Sequence, residues 1–146
     1  MNKQSKATCE DGQCPVCQKP TITKPLLHTQ DILSCLKQFR YKKQEYFVCL
    51  SLDSGQRLIN RRVITIGLLN VSLAHPREVF AGALTDRAAS VIIAHNHPSG
   101  IAEPSKEDIE TTNHLVAAGI LLGLPLRDHF IVTRVGHYSF KESYLL

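Results

Sequence analysis

Residues 90–94, Ser-Val-Ile-Ile-Ala, form an apolar run without polar alternation that ends at once in His95-Asn96-His97-Pro98-Ser99-Gly100. A strand that is apolar on both sides has to be covered on both sides, so this run calls for a layered structure around a central strand. The remaining pattern supplies the layers. Ile32, Leu33, Leu36 and Phe39 recur at helical spacing, which predicts a helix over residues 30–40 with Thr29 as its cap. Pro76 opens a second helix, in the manner of proline in a first turn, that runs through Val79, Phe80, Ala83 and Leu84. A third, long helix covers residues 105–122 and stops at Gly123. Residues 46–52, the turn Asp53-Ser54-Gly55 and residues 57–66 read as a β-hairpin, followed after Gly67 by a short extended stretch. Further strands are expected at 126–132 and 138–140. This alternation predicts the α/β class, as an α/β/α sandwich around a mixed β-sheet.

With 146 residues, 43% hydrophobic and 21% charged, the chain has ordinary globular composition and room for one core. Residues 1–25 stand apart as a Cys-containing tail rich in Lys, Gln, Thr and Pro, before a domain over 26–146. Within the tail, Cys14-Pro15-Val16-Cys17 has the spacing of a zinc knuckle, but a structural site needs a second pair. Only His28 and Cys35 are near, and Cys35 falls inside the predicted helix, so Cys9, Cys14 and Cys17 are expected as reduced thiols. The start of the chain has no apolar core of a signal peptide, and the longest apolar stretch, residues 115–126, is interrupted by Gly119, Gly123 and Pro125. No membrane span and a cytoplasmic location are therefore expected. The net charge of +4, from 17 Lys and Arg against 13 Asp and Glu, tolerates nucleic acid without requiring it. The best basic cluster, Arg57, Arg61 and Arg62, reads as a solvated strand face.

The chemistry concentrates where the apolar strand ends. His95 and His97 are two apart, so both imidazoles leave the backbone on the same side. Ser105 is a good helix N-cap, which puts Asp108 at the third helical position, its carboxylate free to turn back toward the strand end. Two imidazoles and one carboxylate leave a fourth tetrahedral position for water, the mark of a catalytic rather than a structural zinc. The Ser105 hydroxyl, close to such a metal, is available as cap, as oxyanion donor, or as both.

His95-x-His97, seven residues, Ser105, two residues and Asp108 reproduce the motif H-x-H-x7-S-x2-D of the JAMM or MPN metalloprotease-like domain. The wording His95-Asn96-His97-Pro98-Ser99-Gly100, with His75-Pro76-Arg77-Glu78-Val79-Phe80 before it and Asp128-His129 after it, resembles the RadC branch, over residues 29–146. The resemblance implies a cytidine-deaminase-like α/β/α fold and zinc held by His95, His97 and Asp108. It also implies a glutamate from an early strand as proton shuttle, matched here by Glu45 in Gln44-Glu45-Tyr46. Members with established activity are zinc peptidases or isopeptidases. RadC members are labelled DNA-repair proteins and usually carry a helix-hairpin-helix region, for which this chain has no room.

Two functions are thus expected to compete. The first is a zinc-dependent hydrolase acting on a peptide or isopeptide-linked protein, and the retained ligands, Ser105 and Glu45 favour it. The second is a non-catalytic, DNA-associated module using the basic surface. Phosphodiester hydrolysis is disfavoured, since such chemistry often uses two metals and one ligand set is evident. Glu78 is the rival base, but it stands in a first helical turn, where a carboxylate is welcome for the helix dipole alone.

Overall fold

The apolar run lies in the middle strand of a five-stranded mixed sheet. The structure, a computed structural model, describes residues 24–67 and 74–146. In chain order the elements are α1 (Thr29–Leu36), a 3-10 segment (Lys37–Tyr41), β1 (Tyr46–Leu52), β2 (Leu58–Ile66), α2 (Pro76–Thr85), β3 (Ser90–Asn96), α3 (Lys106–Leu122), β4 (Leu126–Val132) and β5 (His137–Ser139). The sheet order is β2-β1-β3-β4-β5. β3 and β4 are parallel, and the other pairs are antiparallel.

Every residue of β3 is buried, because each side of the strand meets a different core. On one side Ile92 and Ala94 join Leu50 of β1, Phe130 of β4, and Leu36 and Phe39 from the first helical segment. On the other, Val91 and Ile93 pack with Val79 and Phe80 of α2 and Leu115 of α3. The expected sandwich is therefore the observed one, with α1 on one face and α2 and α3 on the other.

Some boundaries differ from the sequence reading. His28, not Thr29, is the N-cap of α1: its backbone N–H donates to the Asp31 carboxylate at 3.2 Å, so an acid at the third helical position satisfies the first turn. The predicted helix over 30–40 tightens into the 3-10 segment, which brings Phe39 into the core. There Arg40 donates to the carbonyls of Thr133 and Gly136, at 2.7 and 3.2 Å. β2 begins one residue late because Arg57 closes the turn onto the Asp53 side chain. The apolar stretch 115–126 is divided between the end of α3 and the start of β4 by Gly123. Gly123 caps the helix at φ 65°, where other residues are strained, and Leu124 donates back to the Gly119 carbonyl at 2.8 Å. No helix among the described residues is long and apolar enough to cross a membrane. Cys9, Cys14 and Cys17, and the extended stretch after Gly67, lie outside the described residues.

Candidate metal centre

β3 delivers its two histidines to one place. Alternation along the strand sends His95 and His97 the same way, and their Nε2 atoms lie 2.9 Å apart. His95 is fully buried, stacked on Phe47 with ring planes 8° apart, whereas His97 keeps a partly open edge. The Nδ1 of His97 donates to the Ile101 carbonyl at 2.8 Å, an acceptor brought round by the turn at Gly100. In the neutral ring this bond leaves the lone pair on Nε2.

Asp108 arrives from the first turn of α3. Ser105 is the N-cap, and a reciprocal capping box fixes the pair: the Asp108 N–H donates to Ser105 Oγ at 3.1 Å, and the Ser105 N–H donates to Asp108 Oδ2 at 2.7 Å. The Ser105 hydroxyl also donates to Oδ2, at 2.6 Å. Held this way, Oδ1 lies 3.1 Å from His95 Nε2 and Oδ2 lies 3.6 Å from His97 Nε2. Burial works against the Asp108 charge, but hydrogen bonds from His95, His97 and Ser105 outweigh it and hold the carboxyl well below its ordinary value. The same contact with Asp108 raises His97 above its ordinary value. Acid, imidazoles and helix terminus thus form one coupled charge cluster.

Glu45 comes from the opposite side. β1 pairs with β3 so that Phe47 faces His95, and the residue just before β1 therefore stands beside the end of β3. Glu45 Oε1 lies 3.8 Å from His95 Nε2 and 3.9 Å from His97 Nε2. Asn96, whose side chain leaves β3 on the face opposite the histidines, clamps this segment. Its Oδ1 accepts from the Tyr46 N–H at 2.8 Å, and its Nδ2 donates to the carbonyls of Gln44 and Lys42, at 3.0 and 3.4 Å. An amide, with both donor and acceptor, is the side chain that can do this.

The sequence-predicted residues Glu45, His95, His97, Ser105 and Asp108 are all brought together. Ligands bound at about 2.0–2.1 Å in a tetrahedral set lie about 3.3 Å from one another; His95 Nε2 lies 2.9 Å from His97 Nε2 and 3.1 Å from Asp108 Oδ1, and the 3.6 Å approach to His97 Nε2 is made by the other carboxylate oxygen, Oδ2. This donor set fits a tetrahedral divalent cation. Glu45, His95 and His97 also place one ligand atom each within 4.8 Å of one another. Glu45 is the more distant carboxylate, and its longer reach suits contact through a water better than direct ligation. Glu78 is not in this cluster; it pairs with Arg77 at 3.1 Å on an exposed helix start.

Two neighbours of the histidines carried no signal in the sequence beyond the resemblance. His129 and Thr112 lie behind His95. His129 Nε2 is 2.9 Å from His95 Nδ1, and His129 Nδ1 is 2.6 Å from Thr112 Oγ1. Burial drives the His129 imidazole well below its ordinary value. Its sequence neighbour Asp128 points to the other face, where it accepts from Ser139 Oγ at 2.7 Å and from the Lys141 N–H at 3.1 Å, and burial raises its carboxyl. The basic cluster does not form one face. Arg62 pairs with Asp86, Arg61 donates to the Cys35 carbonyl at 2.6 Å and sits over the Phe39 ring, and Arg57 is 3.8 Å from Asp53. Cys35 is buried within α1, and burial raises its thiol.

Ser105 is engaged twice by Asp108, and its one hydroxyl proton points at the carboxylate rather than at an open position. Donation to an oxyanion would require that bond to be exchanged. Ser105→Ala is therefore expected to lose about 1 kcal/mol of stability as a cap and to weaken zinc binding about tenfold through the loosened carboxylate. Thermal melts and competition with a chromophoric chelator measure both. Full zinc affinity with a turnover loss of about a hundredfold would assign Ser105 to the oxyanion instead.

Comparison with known proteins agrees with this architecture. A family model described as a RadC-like JAB domain matches residues 26–145. The chain is 56% identical over 93 residues to a UPF0758 protein of Methanospirillum hungatei, covering 64% of this chain and 41% of that protein. It is 47% identical over 108 residues to UPF0758 proteins of Bacillus mycoides and Bacillus cereus, covering 74% of this chain and 48% of each. The chain thus spans under half the length of these curated relatives. With the matched region running from just before α1 through β5 and including every residue of the candidate metal centre, the chain belongs to the RadC-like JAB domain family.

Proposed function

We propose that this chain is a zinc-dependent hydrolase that cleaves a peptide or isopeptide amide, with His95, His97 and Asp108 as the ligands and Glu45 as the proton carrier. The observation that carries the reading is the convergence of the three donor groups within 2.9 to 3.6 Å of one another, with a second carboxylate facing them from β1's end. Two imidazoles and a carboxylate suit zinc as a borderline metal. His95, His97 and Asp108 would hold the metal, whose chemistry there would be to lower the pKa of a water and to polarise a carbonyl. The chain's own groups do the rest. Ser105 and the helix start keep Asp108 ionised and oriented. Glu45 takes the proton of the attacking water and returns it to the departing amine, which turns a poor leaving group into a neutral one.

The test uses the purified chain supplied with zinc, internally quenched peptides, and peptides joined through a lysine Nζ amide. Cleavage that a chelator abolishes and added zinc restores is the expected result. Zinc-loaded protein that is inert on both, while retaining duplex DNA at physiological salt, would favour the alternative of a DNA-associated module.

A further inference from the structure

The sheet face turned away from His95 carries a concavity of its own, a cleft of about 480 Å³ between the start of α1, strands β3 and β4, and residues 141–144. Its floor is apolar: Leu26, Ile32 and Ile92 line it and belong to the core on the α1 side. Strand alternation puts Ile92 and the histidines of β3 on opposite faces, so the cleft is separate from the candidate metal centre.

The rim extends the apolar surface into water. Leu27 and Tyr144 also line the cleft and are 66% and 94% exposed, and Leu145 and Leu146 beside them are exposed as well. Tyr144 stands there against its backbone preference. It has φ 58°, a conformation that glycine adopts without strain, in a turn closed by its own N–H on the Lys141 carbonyl at 3.1 Å and by the Leu145 N–H on the Phe140 carbonyl at 2.8 Å. Glycine would make the same turn, and so exposed a tyrosine adds little packing to offset the strain. Strain kept at a side chain that faces solvent points to a contact outside the chain.

The charges around the cleft are not equivalent. Its acids are engaged: Asp128 accepts from the His129 N–H at 2.7 Å, the Lys141 N–H at 3.1 Å and Ser139 Oγ at 2.7 Å, and Glu142 accepts from the Thr29 hydroxyl. The side chains of Arg127 and Lys141 are exposed and make no ion pair or hydrogen bond among the described residues. Two cations are thus left to answer carboxylates from elsewhere.

We propose that this cleft docks an acidic segment of a partner protein, which lays one large apolar side chain on the floor beside Tyr144 and sets its carboxylates against Arg127 and Lys141. A small molecule on the floor would leave Leu27 and Tyr144 in water, and a basic segment would meet two like charges. The docking site is independent of the hydrolase reading.

The test uses the full chain and fluorescent ten-residue peptides with a central leucine, isoleucine or phenylalanine flanked by glutamates and aspartates. Controls carry lysines for the acids, or serine for the apolar residue. By anisotropy, at least one acidic peptide is expected to bind about tenfold more tightly than its controls, and less tightly as salt rises. Arg127→Gln combined with Lys141→Gln should weaken it about tenfold. Tyr144→Gly relieves the strain, so it should melt at or above the wild-type temperature while also losing about tenfold in binding. Amide shifts caused by the peptide should fall on residues 26–32, 92 and 141–144 and spare 95–97. No binding by any acidic peptide, equal binding of the controls, or shifts centred on 95–97 would overturn the proposal. So would a wild-type dimer that Tyr144→Gly converts to monomer, since the cleft would then hold a second copy of the chain.

Discussion

His97→Ala is expected to purify without zinc, and the wild-type protein with one ion per chain. The substitution removes one of three converging donors and leaves a pair that cannot close a tetrahedral set. The fold should survive, because His97 stands at the open rim of the site and makes its Nδ1 bond within its own turn. What the variant loses is response to metal. A cation that binds only the native state stabilises it by about 2.7 kcal/mol at a hundred times its dissociation constant, so added zinc should raise the melting temperature of the wild type and not of the variant. Metal analysis by atomic emission, beside melts with and without zinc, makes the measurement. A His95, His97 double variant with undiminished zinc content would place the metal elsewhere.

Glu45→Gln should keep zinc and melting temperature near wild type while hydrolysis falls by roughly a hundred- to ten-thousandfold, the usual worth of a positioned acid–base group. The two carboxylates of the site differ in a way that assigns them. Asp108 is buried, accepts two hydrogen bonds from Ser105 on its carboxylate, and lies 3.1 Å from His95 Nε2. Glu45 is partly exposed and 3.8 to 3.9 Å from the imidazoles. Glutamine preserves its size and removes its basicity, so the variant separates proton transfer from metal binding. Glu78→Gln is the control and should remain active, since Glu78 pairs with Arg77. If Glu45→Gln loses zinc while Asp108→Asn retains it, the roles of the two carboxylates are exchanged.

Much of this could be read in the chain because it depends on local periodicity. The unalternating run of β3, the proline at the start of α2, and Ser105 with Asp108 three residues on are each decided within a few residues, and the structure places them as expected. Glu45 needed more, since its arrival depends on β1 lying against β3, which the resemblance supplied and the register of Phe47 with His95 displays. Thr112, His129 and Asn96 were not legible as site residues. His129 gains its place from the parallel pairing of β4 with β3, across 34 residues of chain. Thr112 reads locally as one more polar position on a helix. Asn96 reads as a spacer between histidines, and only the tertiary fold shows that it grips residues 42–46. The arginines failed in the other direction, because alternation along β2 sends Arg61 and Arg62 to different layers.

The Asn96 clamp has a kinetic consequence. Since the residue between the two imidazoles fastens the backbone on both sides of Glu45, the Glu45 segment and the two imidazoles are tied to one frame. On the proposed reading, Glu45 and the imidazoles are then already assembled before substrate arrives, and turnover should carry no slow isomerisation of this segment ahead of the chemical step. Pre-steady-state traces would begin without a lag, and whatever selects the substrate must act by shape and charge at the rim rather than by closing the centre.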